Sequence, residues 1–530
     1  MSAPTSAAGP MPLAPAAHHN APAPATCTYP LVGIAAVLFG SLISTLFGRL
    51  TSFGLADIRG AVHAGFDEGA WIPTAATVAQ MFVGPPAAWL GAAFGVRRVL
   101  LVSASLFAVA SGLIPFAPNL HSMLLGQAIA GVASGTFIPL TIGFVLQNLK
   151  PAWWPYGIAA YGLNLEFSLN IPASLEGFYL DHLSWQWIFW QGTLLAVPMI
   201  VCIAIGMPRQ AVNRDVLRTA DGWGMIYAGA GFSMLYAALD QGNRLDWLNS
   251  GTIRGLVAGG AVLLAAFLVR ERTTSHPWIN LRFLLGRNIL LLVVILTLFR
   301  FVILSTSYLI PNYLTTVQNF RSLQVGEVLV WIAVPQFLIS PLIAKVLTHI
   351  NPRIVLAFGV ALVGVACMMA TNLTSDWQTD DFLPSQILQA VGQSSLLIAM
   401  LLFFVRHLRP ADALTFGAVL QTARLFGAEL GNGFMQTFVR ESEQRQSYLL
   451  GLHVQSGGGT VTHRLAEVAS ALIGRSVGEA DASARSADLL AQSVRIQANV
   501  LATIDGFYAV AFAVVVMLCV LTLLREPEGA

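Results

Sequence analysis

Charged residues are scarce in this chain of 530 residues: Asp, Glu, Lys and Arg together make up 10% of it, against about 25% in an average soluble domain. Hydrophobic residues make up 56%. Stretches without any charge, such as 99–117 and 506–524, match the roughly 20 helical residues that cross a hydrocarbon core about 30 Å thick. The sequence therefore predicts an all-α membrane protein with many spans.

Cysteine is also rare, and no pair has the spacing of a metal site or a redox motif (Cys27, Cys202, Cys367 and Cys519), which excludes a disulfide framework and a zinc site. Residues 457–459 are three glycines, but no Lys-Ser or Lys-Thr follows them, so we interpret them as a flexible turn. The sequence contains no nucleophile with a positioned base and no soluble basic domain. We therefore expect neither an enzyme nor a nucleic-acid-binding protein, and no cofactor.

The first 28 residues are rich in Ala and Pro and contain no Lys or Arg. They lack the basic segment that opens a secretory signal, so we predict a disordered cytoplasmic tail over 1–28. Fourteen apolar segments follow, each long enough to span a bilayer: 31–56, 70–93, 99–117, 122–148, 155–180, 185–207, 221–240, 251–270, 288–315, 325–348, 353–373, 383–405, 411–439 and 498–524.

Basic residues concentrate in the connections on one side of these spans. That side has Arg97, Arg98, Lys150, Arg209, Arg214, Arg218, Arg270, Arg272, Arg282, Arg287, Lys345, Arg353, Arg406, Arg409 and Arg525. The short connections on the other side have Arg59, Arg244 and Arg321, with Arg254 at a span edge. The positive-inside rule predicts that the first side and both termini face the cytoplasm. We expect a multi-pass protein of the inner (plasma) membrane.

The connection at 440–497 is long and polar. Long loops translocate regardless of their charge, so this one is compatible with the non-cytoplasmic side. Helical periodicity at 463–471 and 482–494 predicts short amphipathic helices within it.

Six of the charged residues within the predicted spans are the main candidates for function, because polar groups at bilayer depth are costly and usually functional: Arg49, Glu166, Glu176, Arg300, Arg424 and Glu429. Each arginine could instead pair with a neighbouring glutamate for a purely structural purpose, and Glu176 and Glu429 could face water near span ends. Glu166 lies well inside its span between Asn164 and Asn170, which makes it the strongest candidate for a carboxyl that binds and releases a proton. No histidine accompanies these acids, so we expect no metal site.

Several motifs have the spacing of one transporter family. They are Trp71-Ile-Pro-Thr-Ala75, Gly131-Val-Ala-Ser-Gly135 with Pro139, Asp181-His-Leu-Ser-Trp-Gln-Trp-Ile-Phe189, Ile310-Pro-Asn-Tyr-Leu314 with Gly326, Arg424-Leu-Phe-Gly-Ala-Glu-Leu-Gly431 and Ile504-Asp-Gly-Phe507. Through them the chain resembles the major facilitator superfamily, in its fourteen-helix drug/proton antiporter branch, over about 30–525. The resemblance implies two six-helix bundles that rock around a central cavity, with spans 7 and 8 inserted between them (6+2+6).

This arrangement implies an N-terminal bundle over 29–208, an inserted helix pair over 209–286, and a C-terminal bundle over 287–530 that includes the loop 440–497. Spans 1, 2, 4 and 5 and their counterparts 9, 10, 12 and 13 would line the cavity. All six deep charges fall on these spans. Arg49 and Arg300 occupy the symmetry-related spans 1 and 9.

The chain departs from the family pattern where proton coupling is usual. The family has a motif that latches the two halves, and this chain keeps three of its residues, Gly95, Arg97 and Arg98. Ala92 and Ala93 replace the usual Asp and Arg of that motif. Gln127 stands where the fourth span usually has an arginine tied to coupling. The antiporter motif of the fifth span reads Pro-Ala-Ser-Leu-Glu-Gly over 172–177. Coupling would therefore depend on Glu166, Glu176 and Glu429.

The leading hypothesis is a secondary transporter that exports organic solutes or drugs, is driven by protons and favours anionic substrates, because arginines pair well with carboxylates. An importer or an uncoupled facilitator on the same fold is the alternative, and a membrane sensor or enzyme is a remote one. The expected partners are a small organic substrate, protons and the lipid bilayer. In a Gram-negative cell the resemblance also suggests a periplasmic adaptor protein, which the loop 440–497 would touch.

Overall fold

The computed structural model describes residues 29–140, 149, 153–274, 286–406, 413–454, 458–473 and 479–524. These residues are largely helical and contain no strand. The predicted tail 1–28 lies outside the described residues, as does Gly457. The same is true of Cys27, Lys150, Arg282, Arg409 and Arg525.

The first helices are α1 (Pro30–Phe53), α2 (Leu55–Ala61), α3 (Phe66–Gly69), α4 (Trp71–Phe94), α5 (Val96–Leu113), α6 (Leu120–Gly135), α7 (Trp154–Asn170), α8 (Pro172–His182), α9 (Trp187–Gly206), α10 (Arg214–Arg218), α11 (Gly222–Gly242) and α12 (Gly251–Thr273). The later ones are α13 (Arg287–Val302), α14 (Ile310–Thr316), α15 (Ser322–Ala333), α16 (Gln336–Leu347), α17 (Pro352–Ala370), α18 (Leu383–Arg406), α19 (Ala413–His453), α20 (Gly459–Ile473) and α21 (Glu479–Leu523).

Ten helical stretches of the described residues are long and apolar enough to cross a membrane. The other four predicted spans, at 70–93, 155–180, 221–240 and 411–439, coincide with α4, with α7 and α8, with α11 and with α19. These helices are less apolar or interrupted, because they carry polar residues or prolines. The prediction of a polytopic all-α membrane protein is confirmed.

Three predicted spans are interrupted. The fifth divides at Ile171 because Pro172 has no N–H to continue the ladder. The tenth divides at Pro335 for the same reason. In the ninth, a π-helix over Ser305–Leu309 separates α13 from α14. A π-turn leaves the regular α-helical pattern locally and is frequent at functional sites.

The region 440–497 is more helical than the sequence predicts. The first short helix, expected at 463–471, is α20, which runs over Gly459–Ile473. The second, expected at 482–494, is the start of α21 and is continuous with the last membrane span. Likewise α19 continues beyond its predicted span to His453. Extending an existing helix needs no new nucleus, so these segments grow out of the spans.

We call the end of the bundle where α1 begins and α21 ends the terminal end, and the opposite end the loop end. At the loop end α8 packs against α15, and towards the terminal end α7 packs against α16 and α18 while α4 packs against α19. A Cβ on Gly326 of α15 would lie 2.5 Å from the Ser174 nitrogen, and one on Gly417 would lie 3.2 Å from the Ala88 Cβ. The N-terminal and C-terminal helices are therefore in contact on both sides of the centre.

A buried arginine cluster between the two halves

A small cavity remains at the centre of the bundle, with a volume of about 20 Å³. Its walls are mostly Leu, Ile, Met and Phe side chains, together with Tyr161 of α7, Arg300 of α13 and Arg424 of α19. A space of this size holds about one water molecule. The cavity is therefore closed to an organic solute in this conformation, and the polar groups in its wall come from both halves.

Arg49, Arg300 and Arg424 have few polar partners. Among the described residues, no carboxylate oxygen lies within 4.0 Å of any of their nitrogens. Arg49 Nη2 donates to the backbone oxygen of Ser307 at 3.4 Å, and its guanidinium lies 5.3 Å from the centre of the Phe53 ring. Arg424 Nε donates to Gln421 Oε1 at 3.2 Å. Buried guanidinium nitrogens of all three arginines have no hydrogen-bond partner among the residues described.

Two glutamates flank the arginines. Glu166 of α7 is 0% exposed, and neither of its carboxylate oxygens has a hydrogen-bond partner in the described structure. Glu429 of α19 is also buried and accepts a hydrogen bond from the Tyr236 hydroxyl at 2.9 Å. Arg300 is close enough to attract both carboxylates electrostatically. The predicted residues Arg49, Glu166, Arg300, Arg424 and Glu429 thus belong to one buried cluster.

Glu176 lies elsewhere. It is buried on α8 near the loop end, beside Ser322 at the start of α15 and near Asp57 and Asp181. A Cβ on Gly54 would lie 3.5 Å from the Glu176 Cγ. Glu176 therefore lies at the contact between the two halves and outside the central cluster.

Gln127 on α6 is fully buried. Neither polar atom of its amide has a hydrogen-bond partner in the part of the chain that the structure describes. The structure therefore gives no polar contact between Gln127 and the arginines.

The predicted latch residues make their hydrogen bonds near the end of α9 and just beyond it. Gly95 has a φ of 91°, a conformation that favours glycine, and it is the N-cap residue just before α5. The next residue, Val96, donates its N–H to Gln210 Oε1 at 3.0 Å. Arg97 Nη2 donates to the Ala204 carbonyl at 2.7 Å, and Arg98 is exposed. The latch role of these residues stays a prediction.

Sequence reasoning missed one residue of the cavity wall, Tyr161, and three polar residues that lie outside that wall, Tyr236, Asp240 and Ser307. Tyr161 and Tyr236 are buried beside Arg424, and buried tyrosines in an apolar span have no signature in a single sequence. Asp240 of α11 lies near the end of a predicted span, where an acid would normally face water. Ser307 contacts Arg49 through its backbone in a π-helix, which no residue pattern in the span indicates.

The profile of the Major Facilitator Superfamily matches residues 37–432 of this chain. The chain belongs to that superfamily. It is 25% identical over 355 residues to a protein of Escherichia coli strain K12 described as a probable multidrug resistance protein, EmrY, covering 66% of this chain and 67% of the relative. It is 23% identical over 389 residues to the fatty acid resistance protein FarB of Neisseria gonorrhoeae, covering 73% and 76%.

Solved structures of superfamily members share the fold of this transporter. An auto-inhibited peptide transporter of the POT family aligns over 94% of this chain and 98% of its own, with a TM-score of 0.52 and 14% sequence identity. At that identity the likeness concerns the fold alone. It confirms the major facilitator fold that the motifs predict. The superfamily profile, the relatives and the apolar helices together show a multi-pass membrane transporter of small molecules.

Proposed function

We propose that this protein is a proton-driven secondary transporter that exports amphipathic organic anions by alternating access. The observation that carries the proposal is the arginine cluster in an apolar cavity wall. Three guanidinium groups face two buried glutamates, so one positive charge is in excess even when both glutamates are ionised. A carboxylate on an apolar body would match both the charge and the walls.

The names of the relatives support export. They are described as multidrug and fatty acid resistance proteins, and a transporter confers resistance when it moves the compound out of the cell. A fatty acid is itself an amphipathic anion. The substrate class proposed from the cavity is therefore consistent with what one relative is named for.

Proton coupling is proposed to use Glu166. Burial of a charged carboxylate without a donor is costly, and Glu166 has no hydrogen-bond partner among the described residues. We therefore expect it to carry a proton in this closed conformation. A change of conformation that brings Arg300 closer to Glu166, or that admits water to its carboxyl, would release the proton and link it to transport.

The experiment that tests this function uses the purified transporter in liposomes, with decanoate as the anionic probe and tetraphenylphosphonium as the cationic one. We expect an imposed pH gradient to drive decanoate transport at a rate above that of protein-free liposomes, through which the neutral acid diffuses and whose uptake is subtracted. Arg300→Ala should weaken decanoate binding by about tenfold or more, because it removes a buried charge-assisted contact. Arg300→Lys should restore part of it, and Arg254→Ala, at an exposed arginine of α12, is the matched control.

Two results would overturn the proposal. Equal losses of decanoate and tetraphenylphosphonium binding in Arg300→Ala would argue against an anion site. Decanoate flux that ignores the pH gradient would favour the second candidate, an uncoupled facilitator or importer. That candidate draws its support from the absence of the usual coupling residues, such as the arginine that Gln127 replaces.

The orientation is also part of the proposal. The connections rich in Lys and Arg favour an inner-membrane protein with both termini in the cytoplasm, which places the loop end in the periplasm of a Gram-negative cell. Exposed apolar side chains on α19, Tyr448, Leu449 and Leu452, would then be available to a periplasmic adaptor protein. Labelling of His463→Cys but not of Arg214→Cys by an impermeant maleimide in intact cells is the expected result.

A further inference from the structure

The inserted helix α11 makes polar contacts with both halves of the transporter. Ser233 Oγ donates to the Val78 carbonyl of α4 at 3.0 Å. At the loop end, Arg440 of α19 donates from Nη1 to the Asn243 carbonyl at 2.9 Å. Just beyond α11, Trp247 Nε1 donates to Thr437 Oγ1 at 2.9 Å. A helix that only linked two bundles would not need these contacts.

Two side chains of α11, one helical turn apart, connect the halves through ionisable groups. Tyr236 donates its hydroxyl proton to Glu429 Oε2 of α19 at 2.9 Å. Asp240 accepts hydrogen bonds at Oδ2 from Thr74 Oγ1 of α4 and from Gln241 Nε2 at 2.9 Å. Residues four apart on a helix are neighbours on its surface, so Asp240 and Tyr236 lie on one face.

Polar contacts continue from Asp240 to the surface of the loop end. Gln241 Oε1 accepts a hydrogen bond from Arg244 Nε at 2.8 Å. Arg244 Nη1 lies 2.6 Å from Asp67 Oδ1, and the side chain of Asp67 is 79% exposed. A series of polar side chains therefore leads from solvent through Arg244 and Gln241 to Asp240. Asp240 lies one helical turn from the buried pair of Tyr236 and Glu429.

We propose that Asp240 is a second proton-binding carboxyl, and that α11 carries protons between the loop-end surface and Glu429. This inference rests on the proposed proton-driven transport. In the inward step, Asp240 gives its proton to the Tyr236 hydroxyl oxygen while the Tyr236 hydroxyl proton moves to Glu429. Asp240 is left ionised and Glu429 neutral, and the reverse step returns the proton. The gap of one helical turn is short enough for one water to bridge.

The charged groups around Asp240 are few. Its own helix end contributes Arg244, and α3 contributes Asp67. The packed helix α19 contributes Glu429, Arg424 and Arg440. Arg300 of α13 lies beyond Glu429 and attracts it. The helix α4 contributes only hydroxyls at this level, from Thr74 and Thr77, and α12 contributes Arg254, which is exposed.

The test separates proton-driven transport from exchange in liposomes, again with decanoate. Exchange of labelled for unlabelled decanoate requires the substrate site and the conformational change but no net proton movement. In Asp240→Asn and in Tyr236→Phe, we expect pH-driven accumulation to fall by about tenfold or more, as loss of a coupling interaction predicts. Exchange should stay within about twofold of the wild type, because neither residue contacts the cavity.

The matched control is Asp246→Asn, the same change of charge at an exposed position just past the same helix. It should leave both activities unaltered. Unchanged pH-driven accumulation in Asp240→Asn would overturn the inference, and so would equal losses of accumulation and exchange, which would indicate a structural role. Failure of the wild type itself to accumulate decanoate would instead count against the proposed function.

Discussion

At the scale of single residues, the arginines are the group whose surroundings matter most. A buried ion pair is satisfied by its partner, but Arg49, Arg300 and Arg424 have no carboxylate within 4.0 Å among the described residues. Their unused N–H groups point to a ligand that supplies acceptor oxygens. This arrangement supports the proposed binding cluster over the purely structural pairing that the sequence also allowed.

Glu166→Gln tests the proposed proton site. Glutamine has the shape of the protonated acid but cannot release a proton, so this variant should still bind decanoate while its pH-driven accumulation falls by about tenfold or more. Accumulation in liposomes at several imposed pH gradients measures the effect. Accumulation that rises with the gradient as in the wild type would contradict the prediction. Gln127→Glu is measured beside it for comparison, because this variant adds a carboxyl at another buried position.

The sequence identified most charged members of the cluster because charge inside an apolar span is conspicuous. The sequence did not identify Asp240, because it lies near the predicted end of its span and its hydrogen-bond donor Thr74 comes from another helix. Glu176 has the same residue type as Glu166 but a different location, at the contact between the halves. A single sequence gives the type of each residue, but the residues that surround it in space depend on how the helices pack.

At the scale of helices, small residues determine how closely neighbours approach. A Cβ on Gly131 of α6 would lie 2.2 Å from the carbonyl oxygen of Ala76 on α4, which is far inside van der Waals contact. The two helices therefore pack backbone against backbone at this point. The motif that contains Gly131 is explained by packing and needs no role in binding.

Gly131→Ala should force α4 and α6 apart and lower the free energy of unfolding by about 1–3 kcal/mol. Thermal unfolding of the purified protein in detergent measures the change. Gly255→Ala is the matched control, because Gly255 lies inside α12 with nothing within 4 Å of an added Cβ. The control should be neutral or slightly stabilising. Equal midpoints for both variants would refute the close-packing argument.

Asp505 joins the two long helices where they leave the bundle. It accepts hydrogen bonds at Oδ2 from Ser442 Oγ, from Arg445 Nη2 at 3.3 Å and from Gln446 Nε2 at 3.2 Å. Asp505→Ala should destabilise the pairing of α19 and α21 by about 1–3 kcal/mol. The expected readout is a lower unfolding midpoint and faster proteolysis within 440–497.

The control for Asp505 is Asp488→Ala, at an exposed position on the same helix. That change should stay within about 0.5 kcal/mol, as most surface substitutions do. Equal proteolysis rates for the two variants would be inconsistent with a joining role for Asp505.

The order and number of the predicted spans follow from hydrophobic length, which the sequence contains directly. The prolines in the sequence predict that some spans are interrupted. They do not predict that the breaks fall at Ile171 and Pro335, because neighbouring helices decide whether a proline kinks or ends a helix. The π-helix over Ser305–Leu309 depends on the contacts of α13 with the rest of the bundle. Helix α21 is longer than its apolar part, so hydropathy alone underestimates it.

At the scale of the whole molecule, described helices of the two halves are in contact at both ends of the central cavity. Gly326 and Ser174 form one of the tightest contacts between the halves, at the loop end. Alternating access requires this contact to separate while the contacts at the terminal end remain. The closed conformation is therefore one stage of the cycle.

Gly326→Val should hold the loop end open, because the added side chain would lie 2.5 Å from the Ser174 backbone. In a Ser174→Cys background, labelling by an impermeant maleimide from that side should become about tenfold faster, which corresponds to a shift of about 1.4 kcal/mol. Gly255→Val in the same background is the control. Equal labelling rates would show that the contact at Gly326 does not govern access.

Helix α21, one of the two helices that Asp505 joins, extends well beyond the bilayer. At 1.5 Å per residue, the 45 residues of α21 extend for about 68 Å, and a bilayer core accounts for about 30 Å of that. The remainder is a rigid arm fixed to the C-terminal half. A rocking motion of about 10° would displace the tip of that arm by about 7 Å. A fluorophore at the tip would therefore report each transport cycle as a movement of several ångströms.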